Sequence, residues 1–203
     1  MKTLVIDTET SSLPNKNLPV DHPEQARILE LAAIVLDDKL QECGVFHCFI
    51  AHDDDIIIHP GAQAVHGITL DYCRANGVSS VFAISALWSM CCDADRIVAH
   101  NLGFDSQLCN TEFVLNNNSA INWKAKGFCT MLSLTNVCKL PAKSGRAGYK
   151  WPKVEEAMAH CFPSEKLTGL HSALADCRYA VKLYRHCVGL QQATSALSQP
   201  ALI

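Results

Sequence analysis

Asp7 and Glu9 stand two residues apart at the end of a short apolar run, Lys2–Ile6. In an extended chain, residues i and i+2 project to the same face, so two carboxylates would converge there, flanked by Thr8 and Thr10. Like charges so close repel unless a cation lies between them, and hard divalent cations favour carboxylate oxygens. A solvated polar turn would give the same pair, so it does not fix the chemistry alone. Asp105 follows a second apolar run, Arg96–Ala99, near the start of a predicted helix, where an acid can also serve the helix electrostatically. Beside it, Asn101 offers an amide suited to a phosphate or sugar, and Phe104 either stacks on a base or fills the core. The third group is His171 with Asp176. On one continuous helix these would point about 140° apart. Ser172 is a good N-cap, however, which puts His171 in the loop before the helix, free to swing over a site that Asp176 faces. A surface histidine and a helix-stabilising aspartate are the alternative.

The elements that must position these groups follow from the pattern of apolar residues. Lys2–Ile6, Ile28–Leu36 and Val45–Ala51 read as strands, with a hairpin at Asp37–Lys39 between the last two, which suggests an antiparallel meander. Ser11–Pro23, with three prolines, reads as loop. Helices are predicted over Thr69–Ala75, Ser79–Cys92 and Phe104–Leu115, with Arg96–Ala99 a short buried strand before the third. Phe128–Cys129 is a last short strand and Thr130–Val137 a helix. Pro152 opens a helix to His160, and Ser172–Cys187 is the final amphipathic helix. The order fits an α/β layer fold with a mixed five-stranded sheet flanked by helices. Residues 1–190 are expected to form one domain and residues 191–203 a flexible C-terminal tail.

The 203 residues are 49% hydrophobic and 18% charged, enough apolar material for one core and too little charge for a disordered chain. No apolar stretch approaches the roughly 20 residues a membrane span needs, and Asp7 interrupts the N-terminal run too early for a signal peptide. A soluble, cytoplasmic protein is expected. The 11 cysteines are odd in number and include no CxxC, so they read as reduced, mostly buried thiols rather than a disulfide framework or zinc site. Charge is uneven: residues 1–122 hold 6 Lys/Arg against 16 Asp/Glu, and residues 123–203 hold 11 against 4. Lys139, Lys143, Arg146, Lys150 and Lys153 fall in a stretch with no acid, interleaved with Tyr149 and Trp151. Basic and aromatic residues so mixed suit single-stranded nucleic acid; a solvated loop with a buried Trp is the rival reading.

Taken together, Val5-Ile6-Asp7-Thr8-Glu9-Thr10, His100-Asn101-Leu102-Gly103-Phe104-Asp105 and His171-Ser172-Ala173-Leu174-Ala175-Asp176 resemble the three ordered motifs of the DEDDh family, the DnaQ-like 3′→5′ exonucleases. Val65-His66-Gly67-Ile68 resembles a recurrent segment between the first two. Gly148–Lys153 resembles one seen in standalone bacterial and phage members of the exodeoxyribonuclease X type. The likeness spans about residues 3–188.

The resemblance implies a ribonuclease H-like fold and an active site of His171, Asp7, Glu9, Asp105 and Asp176. It also implies two Mg²⁺ or Mn²⁺ ions, as in other two-metal phosphodiesterases. Asp7 would bridge both ions, Glu9 and Asp176 would complete one site, Asp105 would support the other, and His171 would be the general base. Thr8, Glu9, Thr10 and Leu13 would approach the terminal nucleotide. His66, Asn101, Phe104, Lys150 and Trp151 are further substrate contacts, with a structural turn role equally open for His66. The expected substrate is the 3′ end of single-stranded DNA. An exoribonuclease of the same family and a non-catalytic nucleic-acid-binding module are the alternatives. No membrane role is expected, and a polymerase or repair partner and the oligomeric state stay open.

Overall fold

The computed structural model describes residues 1–52, 56–142 and 147–197, with side chains to residue 193. Three strands come first: β1 (Thr3–Thr10), β2 (Ile28–Leu36) and β3 (Glu42–Ala51). Helices α1 (Pro60–His66) and α2 (Leu70–Asn76), the short β4 (Val78–Ser79) and α3 (Ser80–Asp93) follow. Then come β5 (Arg96–Ala99), α4 (Leu102–Leu115), α5 (Trp123–Lys126), β6 (Gly127–Cys129), α6 (Thr130–Cys138), α7 (Val154–Cys161) and α8 (Ala173–Leu197). The sheet order is β4-β3-β2-β1-β5-β6, antiparallel through the β1–β2–β3 meander and parallel at β1–β5, β5–β6 and β3–β4. The sheet is mixed, as expected, but six-stranded rather than five-stranded, because two residues of β4 are too short to leave a periodic signal.

Alternation along β1 explains where the site falls. Leu4 and Ile6 enter the core shared with α3 and α4, among Ile84, Leu87, Leu108 and Phe113. Val5 points the other way, into the core under α8, with Ala32, Ile34, Cys177 and Tyr184. Asp7 and Glu9 continue the Val5 face beyond the packed region, so the apolar half of the strand fixes where its acidic end points. A third cluster, with Leu134, Met158 and Leu183, ties α6 and α7 to α8.

Several boundaries differ from the sequence reading; β1, for one, runs on to Thr10 and takes Asp7 and Glu9 into the ladder with β2. Helix α7 starts at Val154 with Lys153 as N-cap, because the Pro152 carbonyl is taken by the His100 ring at 2.9 Å. Helix α8 runs past Gly189 to Leu197; an interior glycine costs a helix about 1 kcal/mol but does not end it. Helix α1 gave no sequence signal beyond Gly67, which closes it at φ 71° with its N–H on the Gln63 carbonyl. All 11 cysteines are free, six of them buried. No described helix is long and apolar enough to cross a membrane.

Candidate active site

The C-terminal ends of β1 and β5, two interior strands, lie with the first turn of α4 and the turn before α8 at one end of the sheet. Glu9, His171 and Asp176 each bring a ligand atom within 4.8 Å of the others. Asp7 lies among the same acids: burial, then the charges of Asp105, Asp176 and Glu9, push its carboxyl well above the usual range. It keeps part of its surface open to the cleft while protein surrounds it on the other sides. Burial lifts Glu9 to about 8, helped by Asp176 and Glu30. Burial lifts Asp105 to about 7 against the Thr8 hydroxyl, which donates to its Oδ1 at 3.0 Å. Asp176 is also raised, by burial first, against the His171 N–H that it accepts. Four carboxyls thus sit where none is easily ionised, and a nearby cation would reverse that.

His171 lies in the turn before α8, as the Ser172 cap predicts, and its ring is exposed to the cleft. Its backbone is left-handed at φ 66°, and its N–H donates to Asp176 Oδ2 at 2.9 Å. The other oxygen, Asp176 Oδ1, is buried and has no hydrogen-bond partner. An acid with an orphaned oxygen, grouped with Glu9 and an imidazole and close enough to Asp7 for their charges to act on each other, belongs to a donor set that fits a hard divalent cation.

The remaining predicted residues divide into contacts around the cleft and internal supports. Leu13 is 76% exposed and stands between two cavities of about 450 and 510 Å³. The first is walled by Glu9, Thr10, Val65 and His66, the second by Asn101, Phe104, Leu132 and Trp151. Trp151 is itself 62% exposed. Thr8 and Thr10 turn inward, Thr8 to Asp105 and Thr10 to the Ser12 carbonyl at 2.9 Å. His66 uses both ring nitrogens within the protein: Nδ1 accepts from the Ile68 N–H at 2.9 Å and Nε2 donates to the Thr10 carbonyl at 3.1 Å. Burial lowers its pKa, so this ring is a neutral clamp on the end of β1. Lys150 is paired with Glu156, and Lys153 with Glu155 at 3.3 Å, so two basic residues of the mixed stretch share their charge with the start of α7. Lys143 and Arg146 lie outside the described residues.

Two buried acids escaped the sequence reading. Glu30 is the direct cross-strand partner of Glu9 and is 3% exposed. Glu112 on α4 is fully buried, with Arg27 donating to both of its oxygens at 3.0 and 3.2 Å. A lone acid within the apolar run Ile28–Leu36 was the available signal for the first.

Comparison with known proteins places this geometry. The RNase_T exonuclease family model matches residues 4–184. The chain is 27% identical over 194 residues to the DNA polymerase III subunit epsilon of Buchnera aphidicola, covering 94% of this chain and 74% of that protein. It is 26% identical over 197 residues to the same subunit of Rickettsia typhi, covering 96% and 77%. Escherichia coli exonuclease I, solved with a dT13 oligonucleotide, superposes with a TM-score of 0.74 at 19% identity, covering 97% of this chain. This chain spans 43% of that structure's length, and the likeness shows a shared fold. With the motif residues gathered on that fold, the chain belongs to the RNase_T exonuclease family, the DnaQ-like 3′→5′ exonucleases of the ribonuclease H-like superfamily.

Proposed function

We propose that this exonuclease hydrolyses single-stranded DNA from its 3′ end in a divalent-metal-dependent reaction, releasing nucleoside 5′-monophosphates. The observation that carries the reading is the unpartnered Asp176 Oδ1, in a cluster where Glu9, His171 and Asp176 lie within 4.8 Å. Asp7, Glu9, Asp105 and Asp176 would hold Mg²⁺ or Mn²⁺, as a pair of ions. Bound there, the cations supply charge to offset the anionic phosphate and the departing 3′-oxygen. His171, exposed beside these acids, accepts a proton from the attacking water. The phosphodiester P–O3′ bond then breaks, and solvent protonates the leaving oxygen.

Substrate binding rests on the cavities either side of Leu13. Their walls suit two successive bases, with the rings of Trp151 and Phe104 lining the second cavity. Glu9 belongs both to the wall of the first cavity and to the acid cluster, where it would meet a terminal 3′-hydroxyl. DNA is favoured because the relatives above are DNA polymerase subunits and the structural neighbour was solved with a DNA oligonucleotide. The test is digestion of matched 5′-labelled DNA and RNA oligomers with Mg²⁺, with Mn²⁺ and with chelator. Metal-dependent shortening of the DNA by single nucleotides is expected. Shortening of the RNA alone would shift the reading to an exoribonuclease, and no shortening with either metal would overturn it.

A further inference from the structure

The turn that carries His171 is held at three points. Tyr179 brackets its start: its hydroxyl accepts from the Thr168 N–H and donates to the Thr168 carbonyl, both at 2.8 Å. Asp176 accepts the His171 N–H. Ser172 Oγ donates to Glu30 Oε1 at 3.2 Å, a contact between residues 142 positions apart. Gly169 (φ 69°) takes a left-handed conformation freely, but His171, with a Cβ that crowds the following carbonyl, does not (φ 66°). A residue kept in that region is over-determined by its surroundings.

Glu30 is an expensive way to supply the third point. It sits opposite Glu9 in the β1–β2 ladder, where like charges destabilise a sheet, and its charge adds to the field that raises Asp7, Glu9 and Asp176. Its own carboxylate is engaged by side chains of the fold. Oε1 receives the Ser172 hydroxyl and His47 Nε2 at 2.7 Å, and at 3% exposure the side chain offers little surface to the cavity it lines with His66, His171 and Ser172. Asp176, by contrast, is asked both to hold the turn and to ligate a cation. A second anchor on Ser172 lets Asp176 serve the cation without releasing His171.

We infer that Glu30 is a positioning residue for the reaction: through Ser172 it fixes the left-handed turn that aims His171 at the acid cluster, with His47 holding Glu30 in place. The inference rests on the reading of His171 as the proton acceptor.

The test is a kinetic and spectroscopic comparison of full-length Glu30→Ala, Glu30→Gln, Ser172→Ala and the Glu30→Ala/Ser172→Ala double variant. Glu30→Ala is expected to lower kcat by about 10- to 100-fold with KM within about twofold, the size expected of a misplaced catalytic group. Glu30→Gln keeps an acceptor for Ser172 and should recover most of the rate. The double variant should be no slower than the slower single one, the mark of two residues acting through one contact. In metal-free protein with labelled histidine, the His171 ring resonances should broaden or split in Glu30→Ala and stay single in Glu30→Gln. An unchanged kcat, multiplicative losses, or no recovery in Glu30→Gln would overturn the inference. If Glu30→Ala does not fold, Ser172→Ala must show the same kcat loss and His171 broadening, or the inference falls. If wild-type protein digests nothing, the functional reading has failed, and the His171 resonances alone then decide whether Glu30 holds the turn.

Discussion

Asp105 and Glu112 lie two turns apart on α4, both almost fully buried, at 3% and 0% exposure. Glu112 receives Arg27 on both oxygens, and the Ile28 N–H at 2.9 Å adds a third donor. His52 Nε2 lies 3.9 Å away. Asp105 is held by the Thr8 hydroxyl and by backbone N–H groups of Thr8 and its own residue, all neutral donors, and its charge bears on Asp7. A chain that can satisfy one buried acid so fully has left the other, and its three neighbours, short of positive charge. At the Glu112 end the acid ties α4 to the start of β2, and its worth is in stability. At the Asp105 end the acids cost stability until something outside the chain supplies the charge.

The sharpest way to break this contrast is Asp7→Asn. Turnover should fall to background in the labelled-oligomer assay, while the metal-free melting temperature stays level or rises, because one repelling charge is gone. Retained turnover would remove Asp7 from the metal cluster. His171→Ala separates two roles that its position leaves close together, proton acceptor and ligand. A kcat loss of about 10²–10⁴ with nearly unchanged Mn²⁺ affinity is expected of the acceptor. A matching loss of affinity in calorimetry would make it a ligand instead. Glu112→Ala should do the reverse of Asp7→Asn. Removing the buried carboxylate that Arg27 donates to should cost about 3–5 kcal/mol in denaturant unfolding, a large part of a typical domain's stability. The activity of each folded molecule should survive. A loss below about 1 kcal/mol would mean that the pair contributes shape and not stability.

The same contrast explains what could be read from the chain alone. Asp7 and Glu9 were legible because two-residue alternation carries an apolar strand straight into them. The loop position of His171 was legible because Ser172 reads as an N-cap, although in the fold its hydroxyl bonds Glu30. Glu112 and Glu30 were not, because their meaning depends on partners 85 and 142 residues away. An acid inside a helix or strand looks like solvent-facing charge until the fold supplies its neighbour. Helix α1 begins Pro60-Gly61 and is seven residues long, too brief for periodicity to outweigh a turn-like start. Lys150 and Lys153 read as free cations in a stretch without acids, yet Glu155 and Glu156 lie just past its end and pair with both.

The mildest test uses pH, and its sign follows from the acid cluster. Glu9 at about 8 and Asp105 at about 7, with Asp7 and Asp176 also raised, keep protons in the fold that the unfolded chain has released. Stability therefore falls as pH rises from the ordinary carboxyl range to about 8. His66 and His100 oppose this at the acid end: burial lowers both, so the fold resists protonating them while the unfolded chain does not. An ordinary histidine is half protonated at about pH 6.5 and largely neutral only from about pH 7.5, so the two rings offset part of the carboxyl slope up to there and none of it beyond. Between pH 6.5 and 8 the metal-free melting temperature should drop by several degrees, at roughly 2–4 °C per kcal/mol. Saturating Mn²⁺ should erase the slope, because bound cation holds the acids ionised in the fold. Asp105→Asn should flatten the metal-free slope, whereas Glu112→Ala should lower the whole curve and leave the slope in place. A melting temperature that stays flat in wild-type protein over that interval would mean the cluster is better satisfied than its unpartnered oxygen implies.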